Sequence, residues 1–305
     1  MSCTKTIIET PDHYSLTTYY WPTSAETVKG YIHILHGMAE HSACYSTFAS
    51  HLNHYGYHVI AHDHRGHGNS PHLGHYSDDN GHEKVRDDIR LVQEKLMSDA
   101  SLPLYVFGHS MGSFIAQSFA IKYGDQLAGL ILSGSNYQSP LIYKAGQVVA
   151  KIEKMRIGQR SPSQLMDFLS FGAFNDKFKP TRTDFDWLSK DDEQVDQYIL
   201  DPLCGFPCSP QLWIDLFNIL IEISNKQNLA KIPSHLPIYL FAGDKDPVGQ
   251  MGKGVPALNK QLSATDHSNV TMKLYENGRH EMLNEINAEE VFNGVTDWLT
   301  RIEKA

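Results

Sequence analysis

Gly108-His109-Ser110-Met111-Gly112 fits G-x-S-x-G. An apolar run, Leu104 to Phe107, precedes it, and Met111, Phe114, Ile115 and Phe119 follow at helical spacing. The pattern predicts a strand, a tight turn and a helix, with serine at the apex. Gly108 and Gly112 leave room for neighbouring backbone in so sharp a turn, and the serine hydroxyl stands clear of the sheet. The Met111 N–H, at the helix start, then faces any oxyanion forming beside Ser110. A serine hydroxyl is a weak nucleophile until a base takes its proton, and that base needs an orienting partner. A histidine and a carboxylate are therefore sought at later strand ends.

Gly243-Asp244-Lys245-Asp246-Pro247-Val248-Gly249 follows an apolar strand and offers two aspartates. Asp246 has the spacing that carries a carboxylate round the turn, and is the expected acid. Asp244 is the alternative, read otherwise as a turn-bonding carboxylate. The chain has 17 histidines, so position must decide among them. His280 follows the last strand and precedes the last helix, whereas His267 lies at the wrong end of that strand. His280 is the expected base, its second ring nitrogen on Asp246. Two N–H donors are needed for a tetrahedral oxyanion. Met111 supplies one. The other is expected from Met38 in His36-Gly37-Met38, where Gly37 permits the bend. His36, Gly37, Gly108, His109 and Gly112 are the supporting residues.

His62-Asp63-His64-Arg65-Gly66-His67 has a metal-site look, but Gly66 stands where a binuclear zinc motif needs aspartate. Its glycines read as a tight turn, with Asp63 and Arg65 in local hydrogen bonds. No metal and no cofactor are expected.

The elements that must hold these groups follow from periodicity. Lys5 to Thr10 and His13 to Trp21 read as an antiparallel pair. Val28 to Leu35, Tyr57 to Ala61, Leu127 to Leu132, Pro237 to Ala242 and Val270 to Tyr275 read as further strands, and helical patterns separate most of them. Such alternation implies an α/β chain with a mostly parallel central sheet flanked by helices. His36, Asp63, Ser110 and Asn136 all fall at strand C-termini, where sites gather in such sheets. From Ser139 to Ile232 helices occur without a convincing strand. Ala145 to Ile152, Pro162 to Phe171 and Leu212 to Ile223 are the expected helices there, rich in aromatics. Residues 1–138 and 233–305 are the expected core, and 139–232 an expected helical cap, read either as an insertion with its own small core or as the lining of an acyl pocket. Asn287 and Glu290 have the spacing of a capping box for the last helix.

A net charge of −9 without a basic run argues against a nucleic-acid partner. Met1-Ser2-Cys3-Thr4-Lys5 lacks a leader's charged-then-apolar build, and no apolar run approaches a membrane span. Four scattered cysteines, Cys204 and Cys208 the nearest pair, read as free thiols in a reducing cytoplasm.

Five blocks occur in order: His36-Gly37-Met38-Ala39-Glu40-His41, Asp63 to Ser70, Gly108 to Gly112, Gly243 to Val248 and Arg279-His280-Glu281. From about Gly30 to Leu299 the chain resembles the monoacylglycerol lipase/lysophospholipase group of α/β-hydrolases, also labelled serine aminopeptidase S33-like. Phe185 to Leu188 and Asp201 to Phe206 are similar to bacterial lysophospholipase-like members. The resemblance implies the α/β-hydrolase fold with a helical cap, a Ser110–Asp246–His280 triad, and an oxyanion hole from Met38 and Met111. Met38 replaces the small residue common there in monoacylglycerol lipases. The implied activity is hydrolysis of monoacylglycerol, lysophospholipid or short acyl esters through an acyl-enzyme. Thioesters, amides, peptides or acyl transfer are the alternatives on the same triad. The expected partner is a small acyl ester or single-chain lipid, with peripheral membrane contact through the cap.

Overall fold

In the computed structural model, which describes residues 3–304, the chain enters through β1 (Thr4–Glu9) and β2 (Ser15–Trp21). They pair antiparallel, Thr4 opposite Tyr20 and Glu9 opposite Ser15. Met1 and Ser2, which open the stretch read for a leader, lie outside the described residues, as does Ala305. The later strands are β3 (Gly30–Leu35), β4 (Tyr57–His62), β5 (Leu104–His109), β6 (Gly129–Ser133), β7 (Ile238–Gly243) and β8 (Val270–Tyr275). Their order in the single sheet is β1-β2-β4-β3-β5-β6-β7-β8. β2 meets β4 antiparallel, and every pairing from β4 to β8 is parallel.

The helices are α1 (Ser46–His54), α2 (Gly81–Leu96), α3 (Met111–Tyr123), α4 (Pro140–Ile157), α5 (Gln164–Phe171), α6 (Asp192–Leu200), α7 (Pro210–Ile223), α8 (Lys226–Leu229), α9 (Gly254–Ser263) and α10 (Ala288–Ile302). Every residue of β3, β5 and β7 is buried, as parallel strands covered on both faces require. Alternate side chains feed two cores. Ile32, Ile34, Phe107 and Phe241 pack with α1 and α10. Tyr31, Leu35, Val106 and Leu240 pack with α2, α3 and α9.

The segment between β6 and β7 holds α4 to α8 and no strand. It has no separate core: Tyr143, Ala150, Met166, Trp213 and Ile219 join the cluster built on α3 and β5. α7 is buried on most sides because it covers α3, itself buried from Met111 to Ala120. α6 escapes a periodicity reading because only its Val195 is buried. Its start is set instead by Asp191, whose carboxylate accepts the Glu193 and Gln194 N–H groups. The Asn287 capping box does not form. The Asn287 amide donates to Glu290 Oε2 at 3.0 Å, and that carboxylate is also held by Lys273 at 2.8 Å. Among the described residues no helix is long and apolar enough to cross a membrane.

The histidine-rich turn after β4 is built into the fold through distant partners. Arg65 bonds Asp88 at 2.7 Å and Asp12 at 2.8 Å, while Asp63 accepts the Ser42 N–H at 2.9 Å. These bonds are long-range in sequence, not local.

Candidate active site

The chain turns from β3 to β4 on one side, then crosses back to place β5 on the other. The carboxyl ends of β3 and β5 therefore flank a topological switch point. Residues 36–41 and Ser110 meet there. Ser110 sits at φ 50°, ψ −120°, a strained conformation that lifts its side chain out of the turn. Its N–H bonds the Ser133 carbonyl at 2.9 Å, tying the apex to β6. A Cβ on Gly108 would meet the Gly112 carbonyl oxygen at 2.5 Å, and one on Gly112 would strike the Leu35 carbonyl. Both glycines are close-approach positions, as their spacing predicts.

Gly37 packs against the same apex: a Cβ there would lie 3.3 Å from Ser110 Cβ. His36 controls this turn. Its Nε2 accepts the His64 N–H at 2.9 Å, so Nδ1 carries the proton and donates to the Gly37 carbonyl at 2.7 Å. The Gly37 N–H is held by Glu40, whose carboxylate also accepts the Tyr45 hydroxyl at 2.7 Å. Burial, with Glu281 nearby, pushes the Glu40 carboxyl well above its ordinary range. Glu40 and Tyr45 support the turn, and sequence reasoning missed that role. Nothing in their spacing shows that the carboxylate folds back on Gly37.

Asp246 and His280 arrive from the ends of β7 and β8. Asp246 is fully buried and its Oδ1 accepts the Val248 N–H at 2.8 Å and His280 Nδ1 at 2.9 Å. Asp244 does something else: its Oδ1 accepts the Asn277 N–H at 2.8 Å, a bond from the turn after β8 and not a bond within its own turn. With Nδ1 on Asp246, His280 presents Nε2 as the acceptor. His280 and Ser110 line one cavity of about 380 Å³, together with Met38, Phe168, Trp187 and Phe206. His280 bonds Asp246 and not Ser110 in this arrangement. Such bonds are often long without substrate and tighten when it binds.

Two rings enclose His280. His109 lies 4.8 Å away between centroids and Trp187, from the α5–α6 connection, 5.3 Å away. His109 holds Ser133 Oγ at 3.2 Å, and burial drives it toward the neutral form, with His280 adding to the effect. The same connection is stitched to the His280 loop. Leu188 O accepts the Glu281 N–H at 2.8 Å and Ser189 O accepts Arg279 Nη1 at 2.9 Å. The sequence marks 185–188 only as a motif; its contact with the base appears with the fold.

A buried carboxylate–imidazole pair opening on a cavity that holds a strained serine is the arrangement acyl transfer needs. Residues 26–287 match the family described as serine aminopeptidase, S33. The chain is 28% identical over 302 residues to a human monoglyceride lipase, covering 97% of this chain and 89% of that protein. It is 27% identical over 280 residues to a monoacylglycerol lipase of Mycolicibacterium smegmatis, covering 89% of this chain and 88% of that protein. A carboxyl esterase from Bacillus coagulans, solved in complex with glycerol, superposes with a TM-score of 0.91 at 27% identity, covering 99% of each chain. The chain belongs to the serine aminopeptidase S33 family, has the α/β-hydrolase fold, and is a serine ester hydrolase.

Proposed function

We propose that Ser110, His280 and Asp246 are the catalytic triad of a carboxylic-ester hydrolase that works through an acyl-enzyme. His280 Nε2 takes the Ser110 proton as Oγ adds to the ester carbonyl. The Met38 and Met111 N–H groups hold the oxyanion, and Asp246 stabilises the imidazolium. His280 then protonates the departing alcohol oxygen as the tetrahedral intermediate collapses. Water repeats the sequence, and the acyl chain leaves as the acid. The buried Asp246–His280 bond beside the Ser110 cavity is the observation that carries this reading.

Residues 139–232 act as the cap. Phe168, Phe171, Trp187 and Phe206 give the cavity an apolar wall suited to one acyl chain. Monoacylglycerol, lysophospholipid and short acyl esters are the proposed substrates, in keeping with the relatives' names. The outer face of the cap is apolar as well. Leu141, Val148, Ile152 and Met155 form a stripe on α4, and Leu169 stands exposed on α5. This face is proposed to rest on lipid while substrate enters.

A fluorophosphonate probe is expected to label Ser110, and Ser110→Ala to abolish both labelling and ester turnover. Ester hydrolysis retained in Ser110→Ala would overturn the assignment. Monoacylglycerols and p-nitrophenyl esters should turn over faster than acyl thioesters and aminoacyl anilides. The reverse order would replace the ester reading with thioester or amide hydrolysis.

A further inference from the structure

His41 and Cys44 frame the turn that follows the Gly37–Glu40 loop, and Cys204 approaches them from the segment after α6. One imidazole nitrogen and two thiol sulfurs lie within 4.8 Å of one another. A tetrahedral zinc site, with Zn–S about 2.3 Å and Zn–N about 2.0 Å, spaces such atoms roughly 3.5–3.8 Å apart. Side-chain rotation closes that difference. His41 Nε2 is taken by Asp201 Oδ2 at 2.9 Å, which leaves Nδ1 to face a metal. Asp201 is itself fixed, because Oδ1 accepts the Leu203 N–H at 2.8 Å. A carboxylate behind a histidine is the usual outer partner of a metal-bound imidazole.

The pair of sulfurs alone would serve a disulfide equally well. A buried histidine aimed at them and backed by a carboxylate serves a metal. A separate cavity of about 300 Å³ opens on the cluster beside Gln194 and Tyr198, giving an ion a route in and water a place to bind. None of the three residues lines the cavity that holds Ser110.

We propose that His41, Cys44 and Cys204 bind a thiophilic divalent cation, zinc, with Asp201 orienting the histidine and water completing the coordination. Both thiols bind as thiolates, so two protons leave for each ion taken up. The ion joins the loop carrying Gly37 and Met38 to the segment after α6. That junction is already marked by hydrogen bonds from Gly205 N–H at 2.9 Å and Tyr198 Oη at 3.1 Å to the Ala39 carbonyl. The metal is a clamp and takes no part in bond breaking.

The test uses the full chain, purified with reductant, stripped with chelator and titrated with Zn²⁺ or Co²⁺. One equivalent is expected to bind at micromolar or lower concentration. Co²⁺ should show thiolate charge-transfer absorption, and Zn²⁺ should raise the melting temperature. Cys44→Ser and Cys204→Ser should each abolish the cobalt band, and Cys208→Ser, whose thiol is buried in the core, should keep it. Asp201→Asn should weaken the affinity about 10–100-fold. Circular dichroism checks that each variant is folded. Absence of stoichiometric uptake would overturn the proposal. So would uptake unchanged in a folded Cys44→Ser/Cys204→Ser variant, or a Cys44–Cys204 disulfide that persists in the presence of reductant and takes the place of metal.

Discussion

His36 Nδ1 donates to the carbonyl of its own neighbour, Gly37, at 2.7 Å. The Gly37 carbonyl and the Met38 N–H belong to one planar peptide and point opposite ways. Fixing the carbonyl therefore aims the N–H, and Glu40 fixes the preceding N–H from the other side. The proposed second oxyanion donor is thus positioned by a histidine that does not line the Ser110 cavity.

His36→Phe keeps the ring volume and removes both bonds. It should lower kcat about 10–100-fold with KM little changed, because losing an oxyanion donor outright costs about 10²–10³. It should also destabilise by about 1–3 kcal/mol, since the His64 N–H loses its acceptor. Steady-state kinetics and urea unfolding read the two effects separately. A raised KM at unchanged kcat would contradict this positioning role.

Asp246→Asn should leave the fold intact and reduce kcat by about 10⁴, through loss of imidazolium stabilisation and of the required tautomer. Asp244→Asn should change kcat by no more than a few-fold, because its carboxylate holds the Asn277 N–H in the turn after β8 and makes no bond to His280. Equal losses in the two variants would show that the acid has been misassigned.

Six buried histidines, His33, His36, His62, His64, His67 and His109, are held below their ordinary 6.5 by burial, His33 to about 3 and His67 to about 4. A lowered histidine is neutral in the folded state and protonates first on unfolding. Its contribution is whole above pH 6.5 and is lost as pH falls, by up to about 1.4 kcal/mol per pH unit for each ring. Asp63, Asp88, Asp167, Glu40 and Glu281 are pushed upward by burial and oppose the trend. The histidines outnumber them, so the urea midpoint should fall between pH 6.5 and 5. A flat or rising midpoint would contradict this balance.

Met155 is 79% exposed and Leu141 74%, both on the outer face of the proposed cap. Replacing Ile152 and Met155 with glutamate should weaken co-sedimentation with anionic and zwitterionic vesicles. Turnover of a short, water-dissolved ester should stay within about two-fold, because these side chains lie outside the cavity. Unchanged vesicle binding would remove the lipid-docking role.

Local geometry was legible from the amino-acid sequence by itself. G-x-S-x-G between an apolar run and a helical stripe can hardly form anything but a strained elbow, since steric limits on Gly108, Ser110 and Gly112 act over five residues. Alternation of strands and helices carried the sheet in the same way, because burial on both faces selects continuous apolar runs. The choice between Asp244 and Asp246 leaned on turn geometry, and the two carboxylates make different contacts, Asp244 to the Asn277 N–H and Asp246 to the Val248 N–H. Only the tertiary structure joined residues with no common period. Glu40 reaches Gly37, Trp187 covers His280, α7 lies in the core layer, and Cys204 meets His41 and Cys44. Each of these depends on where a connecting loop lands after the sheet has closed. Long-range packing decides that, and no spacing along the chain records it.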